Sequence, residues 1–386
     1  MIKVLVSNSE AGNVTSTNNW IKISSKVEVL RMRPLFPSVF HRLPVINPFV
    51  LLECLSSLFK IKNYRPDLII SSAPPPHPVI SACVYSMLFN TKYLVDIRDN
   101  WSVSLNEFLN TQSFFVKYLF KSWNNIINFI FILSCRRATL ISCVHEALKV
   151  KLQKLPIIII PNGINTQELL TVESTFDREF VLGKNNIKFN NSTKFLIYTG
   201  DLRASYYNPE IMLDTIQKLI SSGLDIRYIL LGDGNQKEKI AKSAEEKGIK
   251  ENIHLLGKKT HLEVLELLLA SDVAVYPLIN NDNQSQAKYA FGVKMYEYIA
   301  CGRPILMIAN DTAVISHIVT ENNLGISLNW DAAERSDNLK NALLNILENY
   351  TRYSQNVSAY YKNNLSKFDR ATGLNVLSTE IFKILK

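Results

Sequence analysis

Phe291-Gly292-Val293-Lys294-Met295-Tyr296-Glu297-Tyr298-Ile299-Ala300-Cys301-Gly302-Arg303-Pro304-Ile305-Leu306 reads as a glycine turn, a short helix, a glycine stop and a buried strand. Gly292 has no Cβ, so the chain can turn tightly there or approach a ligand closely. Val293 to Cys301 is helix-permissive. Gly302 sits where a helix ends in the left-handed region, and Pro304 follows where a helix cannot continue. Lys294 and Glu297 share one face near the helix start. Free N–H groups, the positive end of the helix dipole and a lysine make an anion site. A carboxylate one turn later can take two sugar hydroxyls. The set suits a nucleotide with a diphosphate and a ribose. The plainer reading is a strand-to-helix loop with a surface Lys–Glu pair.

Upstream, other strands end in the same way. Phe195–Tyr198 runs into Thr199-Gly200-Asp201-Leu202-Arg203. Gly200 permits close backbone approach, and Arg203 can meet a phosphate with both arms of its guanidinium. The alternative for Arg203 is plain solvent exposure. Leu230-Leu231-Gly232-Asp233-Gly234 and Ile253-His254-Leu255-Leu256-Gly257-Lys258-Lys259 repeat the pattern. Glycines at successive strand ends, with Phe291-Gly292, make a wall of backbone. Lys259 stands at its rim.

Apolar runs of four to six residues alternate with helical stretches along the whole chain. They include Lys3–Val6, Leu68–Ser71, Tyr93–Ile97, Leu140–Cys143, Ile157–Ile160, Phe195–Tyr198, Tyr228–Leu231, Ile253–Leu255, Val273–Tyr276 and Ile305–Ile308. That alternation predicts an α/β fold with parallel sheets covered on both faces. A length of 386 residues predicts two domains. The chain turns polar across Val172–Thr193, so the break is placed there. The expected division is 1–180, 181–365 and a last helix in 366–386. Two doubly wound domains would then face each other across a cleft, with ligands at the carboxyl ends of the strands.

The net charge of +9 is uneven. Residues 1–183 carry 19 Lys/Arg against 12 Asp/Glu, and residues 184–386 carry 24 against 22. A basic first half points to an anionic partner, such as a membrane surface or a phosphorylated acceptor. No recognition motif or basic run supports nucleic acid. The five cysteines, at 54, 83, 135, 143 and 301, sit in apolar contexts without paired spacing. They read as reduced core thiols of a cytoplasmic protein. His and Cys never cluster at metal-ligand spacing, and no signal peptide opens the chain.

Within the first half, Asp67-Leu68-Ile69-Ile70-Ser71-Ser72-Ala73-Pro74-Pro75-Pro76-His77 is a buried strand entering a proline-stiffened loop. His77 reads as a site residue or, more commonly for a lone loop histidine, an exposed one. Tyr93-Leu94-Val95-Asp96-Ile97-Arg98-Asp99-Asn100-Trp101 ends a strand in Arg, Asp and Trp, where open sheets place chemistry. A structural Arg–Asp pair with a packed Trp is the alternative. Ser113–Leu133 puts Lys117, Lys121, Asn124 and Asn128 on one helical face. It is too interrupted to span a bilayer. It either lies on a membrane with its apolar face down or packs on the sheet, and the packed helix is favoured. Asn162-Gly163 is a turn.

Taken in order, Asn162-Gly163-Ile164-Asn165, Thr199-Gly200, Leu231-Gly232-Asp233-Gly234, Gly257-Lys258, Ser271-Asp272-Val273-Ala274-Val275-Tyr276-Pro277 and Phe291–Pro304 resemble family 4 of the nucleotide-sugar glycosyltransferases, of the GT-B fold. The Ser-Ala-Pro-Pro-Pro loop and the Asp96–Trp101 strand end are similar to bacterial O-antigen and capsule transferases of the N-acetylfucosamine type. The resemblance implies two Rossmann-like domains, the second holding the nucleotide sugar, with UDP as the expected nucleotide. It implies transfer with retention, no metal, and a saccharide or lipid-linked saccharide acceptor. The cysteines and the basic first half together point to a cytoplasmic enzyme, with contact to the inner membrane face as one option. The family pairs two Glu with seven residues between. The second matches Glu297, implying a ribose contact. The first falls at Tyr289, so contacts to the transferred sugar differ.

The implied donor set is Gly200, Arg203, Gly232, Lys259, Tyr289, Phe291, Gly292, Val293, Lys294 and Glu297. Lys294 also acts on the departing diphosphate. Asp99 is the candidate for the acceptor hydroxyl, and Arg98 for holding Asp99 or an acceptor phosphate. Rival readings are a sugar-nucleotide epimerase and a non-catalytic partner protein that keeps the fold.

Overall fold

The computed structural model describes residues 2–7, 21–24, 27–32, 51–52, 54–56, 65–99, 114–145, 155–203, 207–278 and 292–386. Tyr289, Phe291, Asn100 and Trp101 lie outside them. Two compact units are present: Met1–Ile160 with Leu377–Lys386, and Pro161–Val376.

In the first unit, β1 (Ile2–Ser7), β2 (Ile21–Ser24) and β3 (Val27–Met32) form a sheet of order β1-β3-β2. β2 runs antiparallel to β3, a departure from the all-parallel expectation. A second sheet, β4 (Leu68–Ala73), β5 (Lys92–Ile97), β6 (Leu140–Cys143) and β7 (Ile157–Ile159), is parallel throughout and in sequence order. The helices α1 (His77–Phe89) and α2 (Phe114–Arg137) make its crossovers. The core joins Val79, Ala82 and Cys83 of α1 to Ile127, Phe131 and Cys135 of α2 and to Tyr93, Val95 and Ile97 of β5.

One expectation for this unit is corrected. His77 is not an exposed loop residue: it is the first residue of α1 and is buried. α2 packs on the sheet, as favoured, and its polar row is divided: Lys121 is exposed, but Asn124 is buried. Asn124 lies on the buried stripe with Ile127, Phe131, Ser134 and Cys135, whereas Ile126, Phe129 and Leu133 are exposed. The sheet takes the stripe that presents Ile127, Phe131 and Cys135, and Asn124 is carried in with it because it shares that helical face. Among the described residues, no helix is long and apolar enough to cross a membrane.

The second unit begins well before the polar stretch in which the sequence analysis puts the break. Its helices are α3 (Thr166–Ser174), α4 (Arg178–Lys184), α5 (Met212–Ser221), α6 (Gln236–Glu246), α7 (His261–Ala270), α8 (Val293–Ala300), α9 (Val314–Glu321), α10 (Trp330–Ala333), α11 (Ser336–Glu348), α12 (Tyr350–Asn363) and α13 (Leu365–Phe368). α14 (Arg370–Leu385) starts in this unit, and its last turns belong to the first. There Lys92 Nζ donates to the Ile384 carbonyl.

α3 and α4 belong here because they pack on α7. Leu169, Val172, Val181 and Leu182 enter the same core as Leu265, Leu267 and Leu268. Arg178 pairs with Asp272 at 3.1 Å and Lys184 with Glu266 at 2.5 Å. The Asn162-Gly163 turn is anchored to the far end of this unit. Ile164 N–H donates to Phe368 O at 2.7 Å and Arg370 N–H to Ile164 O at 2.9 Å. Gly163 has φ +54°, and a Cβ there would sit 2.7 Å from Phe368 O.

The sheet of this unit comprises β8 (Lys194–Thr199), β9 (Ile226–Leu231), β10 (Ile253–Gly257), β11 (Val273–Pro277), β12 (Ile305–Ile308) and β13 (Gly325–Leu328). All its pairs are parallel, in the order β10-β9-β8-β11-β12-β13. Counted within the unit, this is the 3-2-1-4-5-6 order of doubly wound nucleotide-binding sheets, whose direction reverses between its first and fourth strands. Both faces are buried. Phe195, Ile197, Ile229 and Leu231 face α3, α4, α7, α8 and α9, while Leu196, Tyr198, Tyr228 and Leu230 face α5, α6 and α11. Continuous apolar strands are what such a sheet requires.

Candidate active site

The opening stretch of the sequence folds as its local signals dictate. α8 ends at Cys301, and Gly302 takes φ +67°. Gly302 N–H donates to Ile299 O and Arg303 N–H to Tyr298 O, each at 3.0 Å. These two bonds form the Schellman motif. Arg303 then turns back, donating from Nη1 to Ser271 O at 2.6 Å and from Nε to Cys301 O at 2.7 Å. The helix stop is thereby locked to the loop before β11.

Gly292 caps the other end in an ordinary extended conformation, φ −67° and ψ 153°. Its glycine character answers a space requirement rather than a tight turn. A Cβ there would come to 3.0 Å from the Tyr276 hydroxyl. Val293 beside it is exposed.

The glycines at the strand ends do form a backbone wall. Gly200 N–H donates to Leu231 O and Gly232 N–H to Gly257 O, both at 2.8 Å. Gly200 and Gly232 have φ of +138° and +137°. A Cβ on Gly232 would collide with the Gly200 carbonyl. Successive strands therefore continue their ladder one residue past their ends, with bare backbone at the carboxyl edge of the sheet.

Lys294 lies over this edge at the point of reversal between β8 and β11. Its Nζ stands 3.3 Å from the centroid of the Tyr207 ring, 4.6 Å from Tyr198 and 5.5 Å from Tyr276, and it donates to the Tyr198 hydroxyl at 3.4 Å. A Cβ on Gly200 would strike this ammonium. The rings hold one another: the Tyr207 and Tyr276 hydroxyls are 3.2 Å apart and their planes are perpendicular. Tyr298, below, accepts from Thr199 N–H at 2.9 Å. Among the described residues Lys294 forms no ion pair with a carboxylate. Burial pushes its pKa down to about 7, with Glu297 and Asp201 opposing the shift. An ammonium over aromatic faces is favoured by cation–π attraction but is short of a counter-charge.

One turn on, Glu297 is buried, at 8% exposure. Desolvation raises its pKa, with His261 and Lys294 pulling the other way. Its Oε1 is 3.2 Å from His261 Nε2, and His261 Nδ1 is 2.9 Å from Glu168 Oε2. His261 opens α7 behind a capping box of Thr260 and Glu263. Lys259 sits beside it, 3.7 Å from Glu263. Sequence reasoning missed His261, Glu168 and the tyrosines. Only the Thr-x-x-Glu spacing before a leucine-rich run marked this helix start.

Arg203 is turned to solvent and bound to its neighbour: Nε donates to Asp201 Oδ2 at 2.6 Å. This lowers the Asp201 pKa and raises that of Arg203. Lys294, rather than Arg203, is therefore the cation at the glycine edge. At the end of β5, Arg98 Nε bonds Asp96 Oδ2 at 2.6 Å, and Ser142 Oγ donates to Asp96 Oδ1 at 2.7 Å. The buried acid there is Asp96, and Asp99 is exposed. Among the described residues no His, Cys, Asp and Glu side chains are grouped as a metal ion needs.

Residues 183–364, the sheet and the helices around it, match the family Glycosyl transferases group 1. Over that stretch the chain is similar to the glycosyltransferases of this group. No curated protein sequence matches the chain significantly. Solved structures do resemble it. HepE from Anabaena, crystallised with UDP, shares 14% identity over 92% of this chain and 86% of its own, with a TM-score of 0.62. A glycosyltransferase from Rickettsia africae shares 15% over 93% and 86%, with a TM-score of 0.58. A UDP-GlcNAc 2-epimerase from Neisseria meningitidis, bound to UDP-GlcNAc, shares 11% over 92% and 85%, with a TM-score of 0.57. At such identities the likeness is one of fold, and the fold class is GT-B, as the sequence implies. Within the matched stretch, Lys294, Gly200, Gly232 and Glu297 gather at one edge, while Arg203 and Lys259 are engaged by acidic neighbours.

Proposed function

We propose that this chain transfers a glycosyl group, with retention and without a metal, from a UDP-sugar to a saccharide or lipid-linked saccharide in the assembly of a bacterial surface polysaccharide. The observation that carries the donor reading is the Lys294 ammonium, enclosed by tyrosines over the Gly200 backbone and without a carboxylate partner among the described residues. A diphosphate supplies the missing counter-charge. As the glycosidic bond to the diphosphate lengthens, negative charge grows on the phosphate oxygens. A fixed cation and helix N–H groups aimed there lower the barrier. Glu297 takes the ribose hydroxyls one turn further on. Asp99, beyond β5, positions or deprotonates the acceptor hydroxyl, and Arg98 with Asp96 steadies that strand end. UDP is favoured because HepE was crystallised with UDP and with UDP-glucose.

A panel of UDP-, GDP- and other nucleotide sugars tests this by thermal stabilisation. A ligand at 100 times its Kd adds about 2.7 kcal/mol. The stabilising donor is then incubated with and without glycan acceptors, and the anomeric configuration of the product is read by NMR. The epimerase reading is kept because epimerases share the fold. It requires an epimerised sugar nucleotide or a free sugar to form with no acceptor present. Transfer only when an acceptor is added rules it out.

A further inference from the structure

The Glu168–His261–Glu297 chain has no part in the mechanism above beyond its last carboxylate. Its geometry is unusual for a structural histidine. Both ring nitrogens face carboxylate oxygens, Nδ1 at 2.9 Å from Glu168 and Nε2 at 3.2 Å from Glu297. A neutral imidazole donates from one nitrogen only, so this arrangement calls for the imidazolium or for one protonated carboxylate.

The ring itself is held rigidly. His261 is the first residue of α7, and the capping box around Thr260 fixes the backbone there. Glu168 reaches it from the first turn of α3. Glu297, by contrast, uses one oxygen on His261, and its Oε2 takes no hydrogen bond among the described residues. Other charges close to the chain are accounted for. Lys184 of α4 is paired with Glu266 and Arg178 with Asp272. Glu263 is bound to Thr260 and Lys259. Lys294 and Arg370 also lower the Glu297 pKa through their charge, against desolvation.

We propose that His261 is a positioning residue for the donor. Its ring, bonded at both nitrogens and held by Glu168, keeps the Glu297 carboxylate turned so that its second oxygen meets the ribose hydroxyls. This rests on the ribose assignment of Glu297, and the test separates the two.

The probes are UDP, GDP and ADP, each compared with its 2′,3′-dideoxy counterpart by calorimetry. The ratio of the two affinities isolates the hydroxyl contact, and effects of Lys294 on the diphosphate cancel in it. The wild type should favour the hydroxylated ligand by about tenfold or more, as a charge-assisted hydrogen bond provides. Glu297→Ala should bring the ratio close to one. His261→Phe should do nearly the same while the protein remains folded by circular dichroism. A histidine that merely pins α3 to α8 would change melting temperature without moving the ratio. As a variant that disturbs packing least, Glu168→Gln should lower the preference part of the way, because the ring loses its charge-assisted anchor on one nitrogen. If Glu297→Ala abolishes the preference while His261→Phe and Glu168→Gln retain it in full, the positioning role of His261 is wrong and the ribose reading stands. If the wild type shows no preference for any of the three nucleotides, or Glu297→Ala keeps it, the ribose reading falls and this proposal with it.

Discussion

The enclosed state of Lys294 makes donor binding a proton-uptake reaction. Burial holds its pKa at about 7 instead of 10.5, so the ammonium form is disfavoured by an amount of order 5 kcal/mol relative to water. A diphosphate over Gly200 supplies two adjacent negative charges and should return the pKa toward its ordinary value. At pH 8 the free protein then carries about a tenth of a proton on Lys294 and the complex about one. Uptake on binding should be about 0.9 proton at pH 8, about 0.5 at pH 7 and near 0.1 at pH 6. The sign follows: the complex binds more protons, so affinity falls as pH rises, by about fiftyfold between pH 7 and pH 9. Calorimetry of UDP-glucose in phosphate and in Tris, whose ionisation enthalpies differ, reads the uptake directly. A nucleotide sugar is preferred to UDP because its phosphates do not titrate near neutrality. Lys294→Met should abolish the uptake and flatten the pH dependence. Tight binding at pH 8 with no difference between buffers, or uptake that survives in Lys294→Met, would refute the assignment of Lys294 to the diphosphate.

Three further outcomes are expected. Glu297→Ala should weaken nucleotide binding about ten- to a hundredfold, from the loss of charge-assisted bonds to sugar hydroxyls, with the circular dichroism spectrum unchanged. Gly232→Ala should destabilise the domain by at least about 2 kcal/mol, read as a lower denaturation midpoint, because alanine would combine a strained φ of +137° with a clash against the Gly200 carbonyl. Asp99→Asn should lower turnover more than donor affinity in a steady-state assay with acceptor. Normal turnover in that variant would remove Asp99 from the chemistry.

Much of the second unit was legible from short-range signals, and the reasons are local. Leu230-Leu231-Gly232 announces a strand buried on both faces and a backbone that must take positive φ. Gly302 before Pro304 announces a helix stop, and the Schellman bonds follow. The first unit was read less fully. Ile21–Ser24 is a short strand of alternating apolar and polar residues, Val27–Met32 carries Glu28 and Arg31 among its apolar residues, and their antiparallel pairing departs from the surrounding pattern. Ser113–Leu133 was correctly taken as a helix packed on the sheet, but which stripe is buried was not read from it. Hydrophobic periodicity there is shallow, so the sheet it packs on chooses the face.

By itself, the sequence determined the alternation of strands and helices, the glycine-ended edge, and the placing of Lys294 and Glu297 on one turn. Each depends on residues within a few positions of one another. Tertiary structure alone decided what surrounds those two side chains. Tyr198, Tyr207 and Tyr276 come from separate segments, and no spacing predicts that their rings converge on one ammonium. Glu168 and His261 lie far apart in sequence and meet only because α3 packs on α7. Burial then turns an ordinary lysine and glutamate into groups with shifted protonation. Desolvation is a property of the folded environment, not of the residue.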